Sequence, residues 1–224
     1  KMPALGGRDE IYVYNCYVND VFQGRAPGHV IETSLAGHAA GGAYVIEQGL
    51  EWRGPIEWAA PQGRLVLREQ RRTTVRVYDD CMLIDMACEV SAAAHDVAIG
   101  PTRHAWFNFR VAPSMCVDEG GLLLDDRGHA GCAEGIAAHA AWVACSGPTG
   151  GGRSAGIALA PVAAPGAAPW WWFVSDWGVV TASPCRDRAI ELASGASTLL
   201  AARFVVFDGS ADTERLRALL AGNA

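Results

Sequence analysis

Apolar and polar residues alternate with a period of two along most of this chain. The run from Met82 to Val90 shows it plainly. Ile84, Met86, Cys88 and Val90 fall on one side, and Leu83, Asp85, Ala87 and Glu89 on the other. Side chains of a strand point alternately to opposite faces, so the first set turns to a core and most of the second to solvent. Turn-forming residues punctuate such runs at short intervals. The pattern predicts strands near 11–17, 28–35, 42–51, 63–70, 72–78, 82–91, 104–111, 139–145, 154–160, 170–175, 177–182, 188–193 and 198–207. Helical spacing enters at the end, where Leu216, Leu219 and Leu220 recur behind acidic Asp212 and Glu214. This predicts a helix near 211–221 with Ser210 as its N-cap. The fold class that follows is all-β: an antiparallel sandwich or curved double sheet with one short C-terminal helix.

Two glycine- and proline-rich stretches read as loops. Gly147–Arg153 (GPTGGGR) lacks the Lys-Ser/Thr step of a phosphate loop and reads as a hairpin loop. Pro161–Pro169 (PVAAPGAAP) carries three prolines, which exclude a central strand. No linker divides the 224 residues, and one domain over 1–224 is expected.

Composition narrows the function classes. The formal charge is −6, and the one basic cluster, Arg68, Arg71, Arg72 and Arg76, reads as a solvated hairpin face, so no nucleic-acid partner is expected. No apolar run reaches membrane length, and no membrane partner is expected. The seven cysteines are irregularly spaced without a C-x-x-C pair. They read as reduced core thiols of a cytoplasmic protein, with no metal and no organic cofactor. His29, His38, His95, His129 and His139 are scattered and read as surface residues. A homodimer is compatible with all of this.

Three segments carry candidate chemistry. In His104–Val111 (HAWFNFRV) alternation places His104, Trp106, Asn108 and Arg110 in one row about 20 Å long. Such a row offers a base, an aromatic surface, an amide and a permanent cation. In Trp170–Gly178 (WWWFVSDWG) one parity holds Trp170, Trp172, Val174 and Asp176, and the other Trp171, Phe173, Ser175 and Trp177. One side fills a core and the other can wall a pocket. Ile11–Asp20 places Tyr12, Tyr14 and Cys16 on one face. The expected site therefore has His104, Arg110 and Asp176 as catalytic groups, with Trp106, Asn108, Trp172, Trp177 and Tyr14 binding substrate.

Several short pieces also resemble a known family, the bacterial β-sandwich proteins called "methane oxygenase PmoA-like", whose function is unknown. The pieces are Val18-Asn19 before Phe22; Gly100-Pro101-Thr102-Arg103-His104-Ala105 leading to Phe109-Arg110-Val111-Ala112; Gly120-Gly121; Trp142-Val143 followed by Ser146-Gly147; and Asp176-x-Gly178. They run in order over roughly 11–208. The resemblance implies a sandwich, in a divergent member shortened at its N-terminus. A His-His dyad typical of that family would fall near Gly7 and Arg8 and is absent. The family's Trp-His-Val-Arg-Asp-Tyr-Gly stretch reads Trp172-Phe173-Val174-Ser175-Asp176-Trp177-Gly178, which keeps the Asp and loses the His and Arg. Three readings stay open: an acid–base enzyme acting without a cofactor on a hydrophobic small molecule (a cyclase, isomerase or lyase), a carbohydrate-processing enzyme, and a non-catalytic small-molecule or sugar binder. Convergence of His104, Arg110 and Asp176 in one deep pocket would favour an enzyme. An open aromatic groove would favour a binder.

Overall fold

In the computed structural model, residues 28–54, 61–163 and 170–221 are described. The strands are β1 (His29–Ala40), β2 (Ala43–Arg53), β3 (Leu65–Val77), β4 (Cys81–Ala92), β5 (Val97–Ile99), β6 (Phe107–Arg110), β7 (Leu122–Asp125), β8 (Ala130–Gly131), β9 (Val143–Gly150), β10 (Arg153–Ala163), β11 (Trp171–Val174), β12 (Val179–Ser183), β13 (Ile190–Leu192) and β14 (Ser197–Asp208). Among the described residues one α-helix, α1 (Thr213–Leu220), follows. Nine strands form one antiparallel sheet in the order β1-β2-β3-β4-β14-β10-β9-β7-β8, three form a second in the order β11-β12-β6, and β13 pairs with β5.

The sandwich follows from parity. On the inner face of the large sheet, Leu67, Cys88, Val90, Leu200, Phe204, Leu159, Val143 and Leu123 are buried. Against them lie Phe107, Phe109, Trp172, Val180 and Ala182 from the three-stranded sheet and Val97, Ile99 and Leu192 from the two-stranded one. Phe107 meets Phe204 edge-on at 6.3 Å between ring centroids. The outer face has a smaller core of Leu83, Leu124, Trp142, Ala144, Ala158, Val205 and Phe207, closed by Leu216 of α1. Gly156 makes room for this layer, because a Cβ there would collide with the Phe207 ring. The α1 N-cap is Asp212, whose carboxylate accepts from Arg215 N at 2.7 Å, two residues beyond the expected Ser210. Its extended backbone and oxygen reach N3, the geometry an N-cap needs.

The segment read as two strands, 63–70 and 72–78, is one continuous β3, paired along its length with β2 and β4. The glycine-rich stretch is mostly strand: β9 runs to Gly150, and Gly151 and Gly152, both at positive φ, make a tight turn into β10. Pro161 also lies within β10. It pairs with Ala202 of β14, beyond the point where β9 stops pairing at Leu159, so its missing N–H costs no β9 ladder bond. Of the six described cysteines, all unpaired, five are buried and Cys132 is exposed. The strand expected at 11–17 lies outside the described residues.

One buried carboxylate sets the position of the small sheet. Asp125, at the end of β7, is fully buried and accepts from Arg127 N, His129 N and Ala137 N, each at 3.0 Å, with His129 Nδ1 at 2.9 Å. The segment it anchors then holds β11: Ala138 O accepts from Trp172 N, and Ala140 O from Trp172 Nε1 at 2.8 Å. Burial would push the Asp125 carboxyl up, but its donors outweigh burial and hold it below the usual range.

Two outcomes are expected. Leu216→Ala should destabilise the protein by about 2–4 kcal/mol, measured by urea unfolding, because the helix docks through that fully buried side chain. The depressed Asp125 pKa contributes stability that is complete above about pH 4 and is lost as pH falls through the folded-state value. Urea midpoints taken from pH 7 down to about pH 2.5 should therefore drop less steeply at the acid end for Asp125→Asn than for the parent.

Candidate functional site

The three-stranded sheet sorts its residues by face. Phe107, Phe109, Trp172, Val180 and Ala182 turn inward. The register then places Trp171 beside Ser183, Phe173 beside Thr181 and Asn108, and Val179 beside Arg110 on the outer face. Thr181 and Ser183 on the middle strand are buried, while Asn108 and Arg110 on the flanking strand are exposed. The turn after β11 brings Trp177 onto this face, 48% exposed. Gly178 closes that turn at φ +89°, where a side chain would also press on Val111 and Cys116.

Three guanidinium groups lie over three of these rings. Arg110 Cζ is 5.5 Å from the Trp177 centroid, Arg103 Cζ 4.9 Å from Phe173, and Arg186 Cζ 5.0 Å from Trp171. The rings follow one another: Phe173 and Trp177 are 6.5 Å apart, and Trp171 is two residues up the strand from Phe173, about 6.6 Å by strand rise. His104 meets Phe173 edge-on at 4.9 Å, and His139 packs on Trp171 at 4.0 Å. Arg103 Nε donates to His104 Nε2 at 3.0 Å, and Arg186 Nη1 to Trp172 O at 3.0 Å. Among the described residues none of these three arginines is in an ion pair. Burial of its ring against the face, then the charge of Arg103, hold His104 below the ordinary histidine range, so its imidazole is neutral at pH 7.

The expected site residues divide. His104, Asn108, Arg110 and Trp177 come together on this face, which is open rather than enclosed. The other expectations need correction. The row from His104 to Arg110 is not one strand: β6 starts at Phe107, and His104 sits in the preceding turn. Trp106 turns to the other side, stacked on Trp52 at 5.2 Å and packed against the inner core. Trp172 is 4% exposed and belongs to the core, its indole N–H bonded to Ala140 O. Asp176 is a loop fastener: Oδ1 accepts from Ala133 N at 2.7 Å and its carbonyl from Val117 N at 3.0 Å. It forms no ion pair with Arg110. Tyr14 lies outside the described residues.

Sequence reasoning missed Arg103, Phe173, Trp171, Arg186 and His139. Trp171 and Phe173 carry the signal, since they share the parity opposite buried Trp172. Arg186 and His139 arrive from distant loops and leave no local trace. A second polar cluster was missed on the inner face, beside Trp52 and Trp106. Glu69 is fully buried there and accepts from Trp52 Nε1 and Arg71 Nε, both at 2.8 Å. Burial, with Glu69 alongside, pushes the neighbouring Cys88 thiol up to about 12. Arg71 is thus corrected from a solvated face to an inward ion pair.

The fastener role of Asp176 has a direct consequence. Asp176→Ala should cost about 1–2 kcal/mol in urea unfolding through the orphaned Ala133 N–H. Any ligand bound on the arginine–aromatic face should keep its affinity in that variant.

A model of a family described as a "Family of unknown function (DUF6807)" matches residues 14–221. No curated protein matches the chain in sequence. Among solved structures, one described as a "Putative aldose 1-epimerase" from Escherichia coli K12 aligns over 86% of this chain and 79% of its own, at 13% identity and a TM-score of 0.33. A likeness that loose carries no argument about chemistry.

Proposed function

We propose, from the premise that the chain belongs to the DUF6807 family of unknown function, that it binds an acidic oligosaccharide along the outer face of its three-stranded sheet. The observation that carries this reading is the row of three guanidinium–ring stacks on one exposed face, none in an ion pair among the described residues. A guanidinium over a ring still has N–H groups to offer a carboxylate beyond the one that Arg103 gives His104 or Arg186 gives Trp172 O. Cations set out along a row of rings suit a ligand that repeats its carboxylate along its length, as an acidic sugar chain does. Asn108 and His104 supply hydrogen bonds for hydroxyl groups between them. Nucleic acid is the poorer fit, because three cations on a chain of net charge −6 do not make a basic stripe.

A second reading makes the same face catalytic. The neutral state of His104 at pH 7 is the form a general base requires. Against it, the expected catalytic set is incomplete there: Asp176 is committed to Ala133, and the His104 side chain is exposed.

Calorimetric titration with trigalacturonate and with neutral maltotriose tests the proposal. Trigalacturonate should bind and maltotriose should not. Arg110→Ala and Arg103→Ala should each weaken binding about tenfold, the scale of one charge-assisted hydrogen bond. Equal binding of the neutral sugar, tighter binding of a single-stranded oligonucleotide, or unchanged affinity in both variants would refute it. His104→Ala separates the readings. Pure binding leaves affinity within a few-fold, whereas catalysis shows breakdown or isomerisation of the sugar that falls about 10²-fold in the variant.

A further inference from the structure

The inner-face cluster around Glu69 contains an arginine whose orientation is set by a buried group while its side chain still reaches the surface. Arg71 belongs to β3, opposite Gln48 of β2 and Cys88 of β4. Its Nε donates to Glu69 Oε1 at 2.8 Å; the Glu69 side chain is 0% exposed and that of Arg71 is 28% exposed. Glu69 is itself fixed by the Trp52 indole N–H on its other oxygen. Besides Glu69, the recorded contact of the guanidinium is the Cys88 thiol, which faces it from β4. No other carboxylate or carbonyl meets it among the described residues. A buried ion pair of this kind adds little to stability on its own. What it does achieve is a guanidinium held in one orientation.

The surroundings point to what that guanidinium would meet. Beyond Arg71 the cover over the inner face thins. Thr73 and Val75 on β3, with Met86 and Ile84 opposite them on β4, are half-buried, and three of these four are apolar. On the other side Trp106, stacked on Trp52, closes the end of the cluster. A fixed cation, an apolar floor and an aromatic end wall together suit one class of small molecule.

We propose that this part of the inner face is a second binding site, separate from the arginine–aromatic row, for a small carboxylic acid with an apolar body. The carboxylate bridges the outward N–H groups of Arg71, and the apolar body lies over Val75, Ile84 and Met86. Glu69, behind the guanidinium, is a positioning residue. The inference does not rest on oligosaccharide binding, because this site is built on β3 and β4 of the nine-stranded sheet, the arginine–aromatic row lies on the outer face of the three-stranded one, and they share no residue.

Benzoate and octanoate, each compared with its neutral amide, are the probes, read by calorimetry and by tryptophan fluorescence, since Trp106 adjoins the site. Both acids should bind at least tenfold more tightly than their amides, and the fluorescence should respond. Arg71→Gln should weaken acid binding at least tenfold. A Glu69→Gln/Arg71→Gln double variant removes both charges together, leaves no lone buried charge to disturb folding, and should show the same loss. Arg110→Ala, on the other face, should leave acid binding unchanged. Equal affinity for acid and amide, binding that survives in the double variant with native-like circular dichroism, or no acid binding at millimolar concentration would overturn the proposal. None of these results bears on the trigalacturonate titration.

Discussion

The three-stranded sheet has to bury one face against the nine-stranded one, and that requirement decides where everything else goes. Phe107, Phe109, Trp172, Val180 and Ala182 meet the large sheet. Because strand neighbours alternate, burying these residues forces Asn108, Arg110, Trp171 and Phe173 outward. The exposed aromatic–arginine row is therefore the reverse side of the core. A one-residue slip in β11 would exchange Trp172 for Trp171 and lose both at once. The register is pinned against such a slip from outside the sheet, by the Ala138 and Ala140 carbonyls on Trp172 and, behind them, by Asp125.

A group of tight glycine contacts fixes the far end of the same sheet. A Cβ on Gly121 would strike the backbone of Met115, and one on Gly147 would crowd the Met115 Cα. Gly178 packs on Cys116. Val111 N donates to Gly178 O, and Val117 N to Asp176 O. Segments from β6, β7, β9 and the β11–β12 turn thus close around the Met115–Cys116 pair. Gly120-Gly121, Ser146-Gly147 and Asp176-x-Gly178 stand out in the sequence as short conspicuous pieces. Their conspicuousness has a packing cause, since several backbones approach within the space of a hydrogen atom. Asp176 belongs to this arrangement and is spent on it.

The alternation in β4, the inward Phe107 and Phe109, and the helix carrying Leu216 were legible because burial imposes a strict period on the residues that experience it. β5, β7 and β8, of three, four and two residues, are too short for a period to register. Trp106 shows where parity reasoning fails. It is valid only within a strand, and the chain at His104 and Trp106 has not yet entered β6. Glu69 and Arg71 show the opposite failure. They obey the parity of buried Leu67, but a charged pair at core positions reads as solvated until its partners are known. Trp52 and Cys88 come from other strands, and no local pattern announces them.

The inner face of the large sheet and the outer face of the small one offer arginine under different physical conditions. Arg71 sits at the edge of a protein interior, where a single charge-assisted bond is little screened and one carboxylate can suffice. Arg103, Arg110 and Arg186 stand in water, where one ion pair is worth about 0–1 kcal/mol and salt weakens it further. A single-carboxylate ligand on the outer face would be held too weakly to distinguish from its neutral analogue. Three such contacts on one molecule behave differently, because after the first forms the others are intramolecular and act at a high effective concentration. An open face of separated, ring-mounted guanidinium groups is thus suited to a ligand that repeats its charge along its length. The rings add to this by restricting each cation that lies over them, so that less side-chain entropy is lost when the ligand arrives.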